Sequence, residues 1–484
     1  MGTLFNRRHS AGDGTAVTTT TTTLGSGLKV RHLTMMGLGS TIGAGLFLGT
    51  GVGIRAAGPA VLLAYIAAGA IAVMVMRMLG EMGSVVPASG SFSEYAELGI
   101  GRWAGFTQGW IYWLATVAVL GAEMTGAAAI IGSWLSVPQW IPALVFVVFF
   151  GVVNLLRVRA FGEFEFWFAL IKVLALVGFL VLGVLLIFGL LPGHPYIGTS
   201  VFTADGFIPN GLGGVAAGML AVAFAFGGIE VVAIAAAESE DPGRSLVNAV
   251  RTTITRISVF YLGSVLVITF LLPYSTLGAA NSAADSPFAL VLGLAGLPGV
   301  VGLMETLIVL ALLSAFNAQL FASSRMMFSL AGRGDAPAIF SRVNARRVPV
   351  PAIVLSIVLA VVMVALNYAD TGWLLGFMLN AAGGSLLIVW GFITVSELKL
   401  RRRLERVTEL SIRMWAWPVC TWATLAVLVA LGLLMLADPG ARIQLTSGAV
   451  MFLLLFIAAL VNSRVRGVSP WQKALLPGED RVLR

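Results

Sequence analysis

Long blocks of mostly apolar residues run along the chain, each close to the roughly 20 residues that one bilayer crossing needs, with short Gly-, Pro- or charge-bearing segments between them. Twelve blocks qualify as spans: 32–54, 59–82, 103–131, 140–157, 164–190, 212–236, 249–272, 298–330, 350–367, 372–397, 415–437 and 443–463. Pro59, Pro142 and Pro351 sit near block starts, where a missing N–H does least harm to a helix.

Two blocks carry glycine where a helix should be stiff. Residues 37–51 contain Gly43-Ala44-Gly45, and each glycine in a helix interior costs about 1 kcal/mol relative to alanine. An unwound turn there frees N–H and C=O groups that hydrocarbon cannot satisfy, so it must be buried in protein or line a polar cavity. The pairs Gly39/Gly43 and Gly45/Gly49 also suit plain close packing of helices, and this stretch alone leaves both uses open. The sixth block supplies a counterpart, Gly227-Gly228 within residues 224–230. Interrupted helices at equivalent positions of two halves mark inverted-repeat transporters, and both halves also have a long third block.

The expected fold is therefore an all-α integral membrane protein. It has twelve transmembrane helices in a 5+5 inverted repeat with broken helices 1 and 6, plus two terminal helices. Residues 1–27 form a polar, disordered cytoplasmic tail without a signal peptide. The first repeat is 28–190 and the second 212–398, with an extracellular loop at 191–211; a basic cytoplasmic loop at 399–414, helices 11 and 12 within 415–463, and a tail at 464–484 complete the chain. Ser91-Phe-Ser-Glu94 has capping-box spacing and predicts a short helix within the 83–102 loop.

Composition agrees: 58% of residues are hydrophobic, 11% charged, and the mean hydropathy is +0.96, beyond what a soluble core needs. The net charge of +8 does not signal nucleic acid, because Lys and Arg are spread over every alternate loop while the intervening loops hold almost none. That asymmetry predicts a multi-pass protein of the cytoplasmic membrane with both termini inside. A single cysteine, Cys420, excludes an internal disulfide, and the scattered His9, His32 and His194 argue against a metal centre. No cofactor is expected.

The chemistry follows from the breaks. The second half of a broken helix 1 presents N–H groups near Thr41, Gly43, Ala44 and Gly45, where partial positive charge favours a carboxylate. A broken helix 6 offers carbonyls near Phe226, Gly227 and Gly228, which suit an ammonium group. Together they match a zwitterion, and an amino acid is expected over a sugar or an inorganic ion. Lys172 lies about 12 Å from the inner end of its block, deep for a lysine. It must face the bundle and either pair or give up its proton, so it is a candidate proton carrier, with a structural tether as the alternative. Glu123 and Glu230 are mid-span and able to contact an amine or protons, Glu230 beside the break; Glu305 lies nearer the outer end. Glu163 and Glu165 fall near the inner interface, where solvated charge is ordinary. Ser314, Asn317, Ser323 and Ser324 line a path or hydrogen-bond between helices. Phe226 is placed to gate the site.

The motifs Gly39-Ser-Thr-Ile-Gly-Ala-Gly-Leu-Phe47, Ala57-Gly-Pro-Ala60, Arg77-Met-Leu-Gly-Glu-Met82, Gly90-Ser-Phe-Ser93, Gly162-Glu-Phe-Glu-Phe-Trp167, Ala235-Ala-Ala-Glu-Ser239 and Ser324-Arg-Met-Met-Phe328 together resemble the bacterial amino acid permeases of the amino acid/polyamine/organocation superfamily. The resemblance covers residues 28–470 and is greatest to GABA permeases, with aromatic, proline and D-serine/D-alanine/glycine permeases close by. It implies a leucine-transporter-like fold, alternating access and proton-coupled uptake. By that similarity Ser40, Thr41, Gly43 and Gly45 hold the substrate carboxylate, Phe226, Gly227 and Gly228 hold the amine side, and Lys172 stands where sodium-coupled relatives bind a cation. GABA permeases tend to carry a proline before the glutamate of Gly121-Ala-Glu-Met-Thr125; this chain has Ala122.

The expected partners are an amino acid, protons and membrane lipid, with a monomer as the functional unit. Exchange of amino acids on the same fold is an alternative to symport. A membrane enzyme is disfavoured by the absence of His-Glu-x-x-His, phosphate-loop and Cys/His motifs, and a nutrient receptor by the absence of a soluble domain to relay a signal.

Overall fold

In hydrocarbon a backbone must satisfy its own hydrogen bonds, and the apolar blocks do so as helices. The computed structural model describes residues 24, 27–39, 42–47, 50–156, 158–223, 226–278, 285–296, 298–368, 372–407 and 409–466. Helix occupies all twelve blocks. The first is divided among α1 (Val30–Gly39), α2 (Ala44–Phe47) and α3 (Thr50–Ala57), and α4 (Val61–Val85) fills the second. A short α5 (Phe92–Gly99) precedes the long α6 (Arg102–Leu135), then come α7 (Trp140–Leu155), α8 (Val158–Ile187) and the one-turn α9 (Ser200–Thr203). The sixth block splits into α10 (Gly211–Ala223) and α11 (Val231–Ala236). α12 (Pro242–Arg256) runs through a π-helical turn, Ile257–Tyr261, into α13 (Leu262–Leu271). The chain ends with α14 (Pro287–Leu294), α15 (Val300–Gly332), α16 (Val350–Tyr368), α17 (Gly372–Val407), α18 (Val419–Met435) and α19 (Pro439–Arg466).

Among the described residues seven helical stretches are long and apolar enough to cross a membrane, while α7, α16 and α18 are shorter apolar helices. The outward faces are apolar as well: Trp167, Leu174 and Val181 of α8 are exposed, as expected of surface that meets lipid rather than water. Among the described residues one backbone bridge joins Leu28 to Ser239.

Three element ends differ from expectation for local reasons. α12 starts at Pro242, seven residues before the apolar block, because Asp241 caps it by accepting from the Arg244 N–H at 3.1 Å and Pro242 supplies a pre-set first turn. α17 continues to Val407, through residues expected in the basic loop. Arg401 bonds Glu81 at 2.9 Å and Glu405 at 3.1 Å, and those pairs hold the extra turns. At α5 the Ser91 side chain makes no cap bond. Glu94 reaches past it to the Gly90 N–H at 2.7 Å and also accepts from Ser329 at 2.6 Å.

The core is built on α6 against α15, whose residues from Leu307 to Leu313 and Ser314 to Ala331 are almost all buried. α17 crosses α19 so closely at Gly384 and Gly448 that a Cβ on Gly384 would collide with the Gln444 carbonyl. Buried ion pairs join separate elements: Arg333–Glu97 at 2.8 Å, Arg325–Glu238 at 2.7 Å and Arg102–Asp335 at 3.1 Å.

Candidate functional site

Both expected interruptions are present. α1 stops at Gly39, Ile42 and Gly43 are non-helical, and α2 resumes at Ala44. The Gly43 carbonyl accepts from the N–H groups of Leu46 and Phe47 at 3.1 and 3.3 Å, and the space beside its Cα is open. Ala44 and Gly45 form the first turn of α2, where N–H groups lack acceptors within the helix. Ser40 and Thr41 lie outside the described residues.

The second interruption spans Phe226 to Glu230 between α10 and α11. Gly228 adopts φ +92°, a conformation that glycine reaches without a Cβ penalty. Its N–H donates to Glu230 Oε1 at 3.2 Å, so this buried carboxylate folds back onto the turn. Phe226 is fully buried, stacked on Tyr261 with centroids 4.9 Å apart, and its edge meets Tyr65 at 6.1 Å; Gly227 beside it is half-buried. Tyr65 joins the two breaks, for its hydroxyl lies 3.2 Å from Thr50 Oγ1, and Thr50 in turn donates to the Leu46 carbonyl at 2.5 Å.

Arg256, at the end of α12, is fully buried and donates from Nη1 to the Gly37 carbonyl near the C-terminal end of α1. A cation there meets both an unpaired terminal carbonyl and the negative end of the helix dipole. Sequence reasoning passed over this residue, although an arginine inside an apolar block meets the same criterion that singled out Lys172.

Lys172 is fully buried on α8, fourteen residues or about 21 Å from the helix start at Val158. Its Nζ donates to Ser314 Oγ at 3.0 Å, and Ser314 donates to Glu165 Oε1 at 2.7 Å. Glu165, expected at a solvated interface, is instead fully buried. Two residues on a helix are about 200° apart, so Glu163 turns to α1, where it pairs with Arg31 and His32, while Glu165 turns into the core. The missed signal was the spacing of seven between Glu165 and Lys172, which puts both on one face. Glu123, half-buried on α6, is close enough to attract Lys172, as Asn317 is to approach Glu165. Asn317 accepts from Asn154 Nδ2 at 2.9 Å, and Ser323 bonds Ser356 at 3.0 Å, so these polar residues of α15 do tie helices together. Glu305 accepts from Trp134 at 2.6 Å, remote from this cluster. Beside α2, an apolar cavity of about 360 Å³ is lined by Phe47, Leu176, Phe179, Phe288, Met304 and Leu307.

An all-helical, multi-pass membrane protein with two interrupted helices around buried charge is the architecture of a membrane carrier. A family model described as amino acid permease matches residues 32–468, and the chain belongs to that family. It is 60% identical over 448 residues to the aromatic amino acid transport protein AroP of Corynebacterium glutamicum, covering 92% of this chain and 97% of that protein. It is 40% identical over 453 residues to the gamma-aminobutyric acid permease of Escherichia coli K12, covering 93% and 97%. The gamma-aminobutyric acid permease of Bacillus subtilis 168 is 40% identical over 438 residues, covering 90% and 92%.

Proposed function

We propose that this permease imports an aromatic amino acid across the cytoplasmic membrane by proton symport and alternating access. It would have twelve spans arranged as a 5+5 inverted repeat plus two, and both termini in the cytoplasm. The observation that carries the substrate is the 60% identity to an aromatic amino acid transport protein, against 40% to the GABA permeases. GABA, favoured by the local motifs, takes second place. Phe226, Tyr65 and Tyr261 form a buried aromatic cluster at the breaks whose rings pack on one another.

The α-carboxylate is assigned to the backbone around Ser40, Thr41, Gly43, Ala44 and Gly45, and the α-ammonium to Phe226, Gly227, Gly228 and Glu230, with Glu123 and Asn317 as further polar contacts. Lys172 is assigned the coupling proton. The test is labelled phenylalanine uptake into proteoliposomes with competing phenylalanine, tyrosine, tryptophan, GABA, lysine and glycine. Aromatic competitors should displace the label, and displacement by GABA alone would defeat the assignment. An imposed inward proton gradient should drive accumulation and its collapse abolish it, whereas dependence on sodium alone would refute proton symport. Lys172→Met should keep binding and lose coupling.

A further inference from the structure

The apolar cavity beside α2 lies where α2, α8, α14 and α15 meet, and its lining grades from an exposed mouth to a buried floor. At the mouth Gly178 of α8 and Leu303 of α15 are exposed. They continue into the exposed apolar surface of the same helices, Leu174, Val177 and Val181 on α8 and Val301 on α15. The α8 positions recur at helical spacing and so share one outward face. The floor is aromatic. Phe288 of α14 meets Phe47 edge-on with centroids 5.1 Å apart and Phe179 at 4.6 Å, and all three rings are buried.

No side chain lining the cavity carries a charge or can donate a hydrogen bond. Water needs about two to four polar partners to stay in such a space, and a zwitterion is costlier still to place there, so neither is held. At about 360 Å³ the cavity is more than twice the size of an apolar void of roughly 150 Å³ that stays dry yet takes up benzene. Left empty, its walls would forgo dispersion contacts over a wide surface. From Val173 to Leu190 every residue of the chain is apolar, so the mouth opens onto hydrocarbon and not onto headgroups. Fatty-acyl chains are the apolar molecules that bathe such a face. We propose that an acyl chain of a membrane phospholipid enters between α8 and α15 and fills this cavity.

The occupant reaches the segment that follows the first break. Phe47 ends α2; its N–H donates to the Gly43 carbonyl at 3.3 Å, and its own carbonyl accepts from Ser286 Oγ at 2.6 Å, which ties α2 to the start of α14. An acyl chain packed on Phe47 and Phe288 braces that tie from the membrane side. The mouth can also be closed without disturbing the walls, because a Cβ added at Gly178 meets nothing within 4 Å.

The experiment reconstitutes the full chain into phosphatidylcholine/phosphatidylglycerol vesicles with a trace of phosphatidylcholine bearing a diazirine midway along one acyl chain. Illumination, digestion and mass spectrometry then locate the adducts. In wild type they should concentrate on residues 175–182 and 303–307, above the level on Leu453 and Leu454, which are exposed on α19. Gly178→Phe places a ring in the mouth and should cut the cavity adducts by roughly fivefold or more, since a filled void offers the chain no extra contacts, while those on α19 stay unchanged. Leu303→Trp narrows the mouth from the opposite helix and should act in the same direction, whereas Leu303→Ala should retain or raise the labelling. Adducts no denser at the cavity than on α19 in wild type would overturn the site, and so would cavity adducts that survive both Gly178→Phe and Leu303→Trp. Labelling of the same residues by a diazirine-bearing phenylalanine, suppressed by excess phenylalanine, would give the cavity to a transported amino acid and overturn it as well.

Discussion

The Tyr65 hydroxyl lies 3.2 Å from Thr50 Oγ1, and this contact ties the second helix of the bundle to the segment just past the first interruption. Because the same ring meets Phe226 edge-on, one side chain senses both breaks.

Tyr65→Phe should isolate the hydroxyl from the ring. Thr50 keeps its bond to the Leu46 carbonyl, so the loss is that of one net hydrogen bond, about 1 kcal/mol or roughly fivefold in an equilibrium. Initial uptake rates should drop by about that factor with expression retained. Tyr65→Leu, which also removes the edge contact, should be worse; equal uptake by both variants and wild type would show that the link is idle.

Arg256→Met should leave the Gly37 carbonyl unmet and remove the cation from the end of α1. The cost expected for an unsatisfied buried acceptor is about 1–3 kcal/mol, read as a lower melting temperature of the detergent-solubilised protein. Arg256→Lys should recover part of it. An unshifted melt in Arg256→Met would mean that α1 does not depend on this cap.

Glu238→Gln should be among the most damaging single changes at a buried ion pair. It leaves the buried Arg325 without its counter-charge, which typically costs about 3–5 kcal/mol. Glu238→Leu combined with Arg325→Met removes both charges and should melt closer to wild type than Glu238→Gln does. Additive losses in the double variant would contradict this account.

Glu94, on the short α5 outside the spans, has its carboxyl raised above the ordinary range by burial, with Arg333, Ser329 and Gly90 opposing. A raised carboxyl binds its proton more tightly in the folded chain than in the unfolded one. Stability from this group is thus present at low pH and declines as pH rises from the unfolded value toward the folded one. Glu94→Gln keeps an acceptor for Gly90 and Ser329, and it should flatten the pH dependence of the melt between about pH 4 and the folded value. A wild-type melt that rises over that window would reverse the sign.

The helices were legible because hydrocarbon demands unbroken apolar length, and the breaks because glycine pairs are costly inside such lengths. Helix ends set by single side chains were less legible. Asp241 and Arg401 lengthen their helices through bonds that no hydropathy window registers. Within the candidate site, Lys172 stood out by depth. Glu165 did not, because depth was judged along the chain and not around the helix, where a two-residue step separates a half-buried Glu163, paired with α1, from a fully buried neighbour. Arg256 was hidden by its position near the start of an apolar block, and its partner is a backbone carbonyl that sequence cannot specify. The aromatic substrate proposed above is not visible in the glycine motifs, since backbone groups proposed to hold a zwitterion would be indifferent to its side chain.

Gly384 and Gly448 meet with no side chain between them, and their contact contains no charge and no group that can gain or lose a proton. α17 and α19 are thus joined by a backbone-to-backbone crossing that acidity and salt should leave untouched.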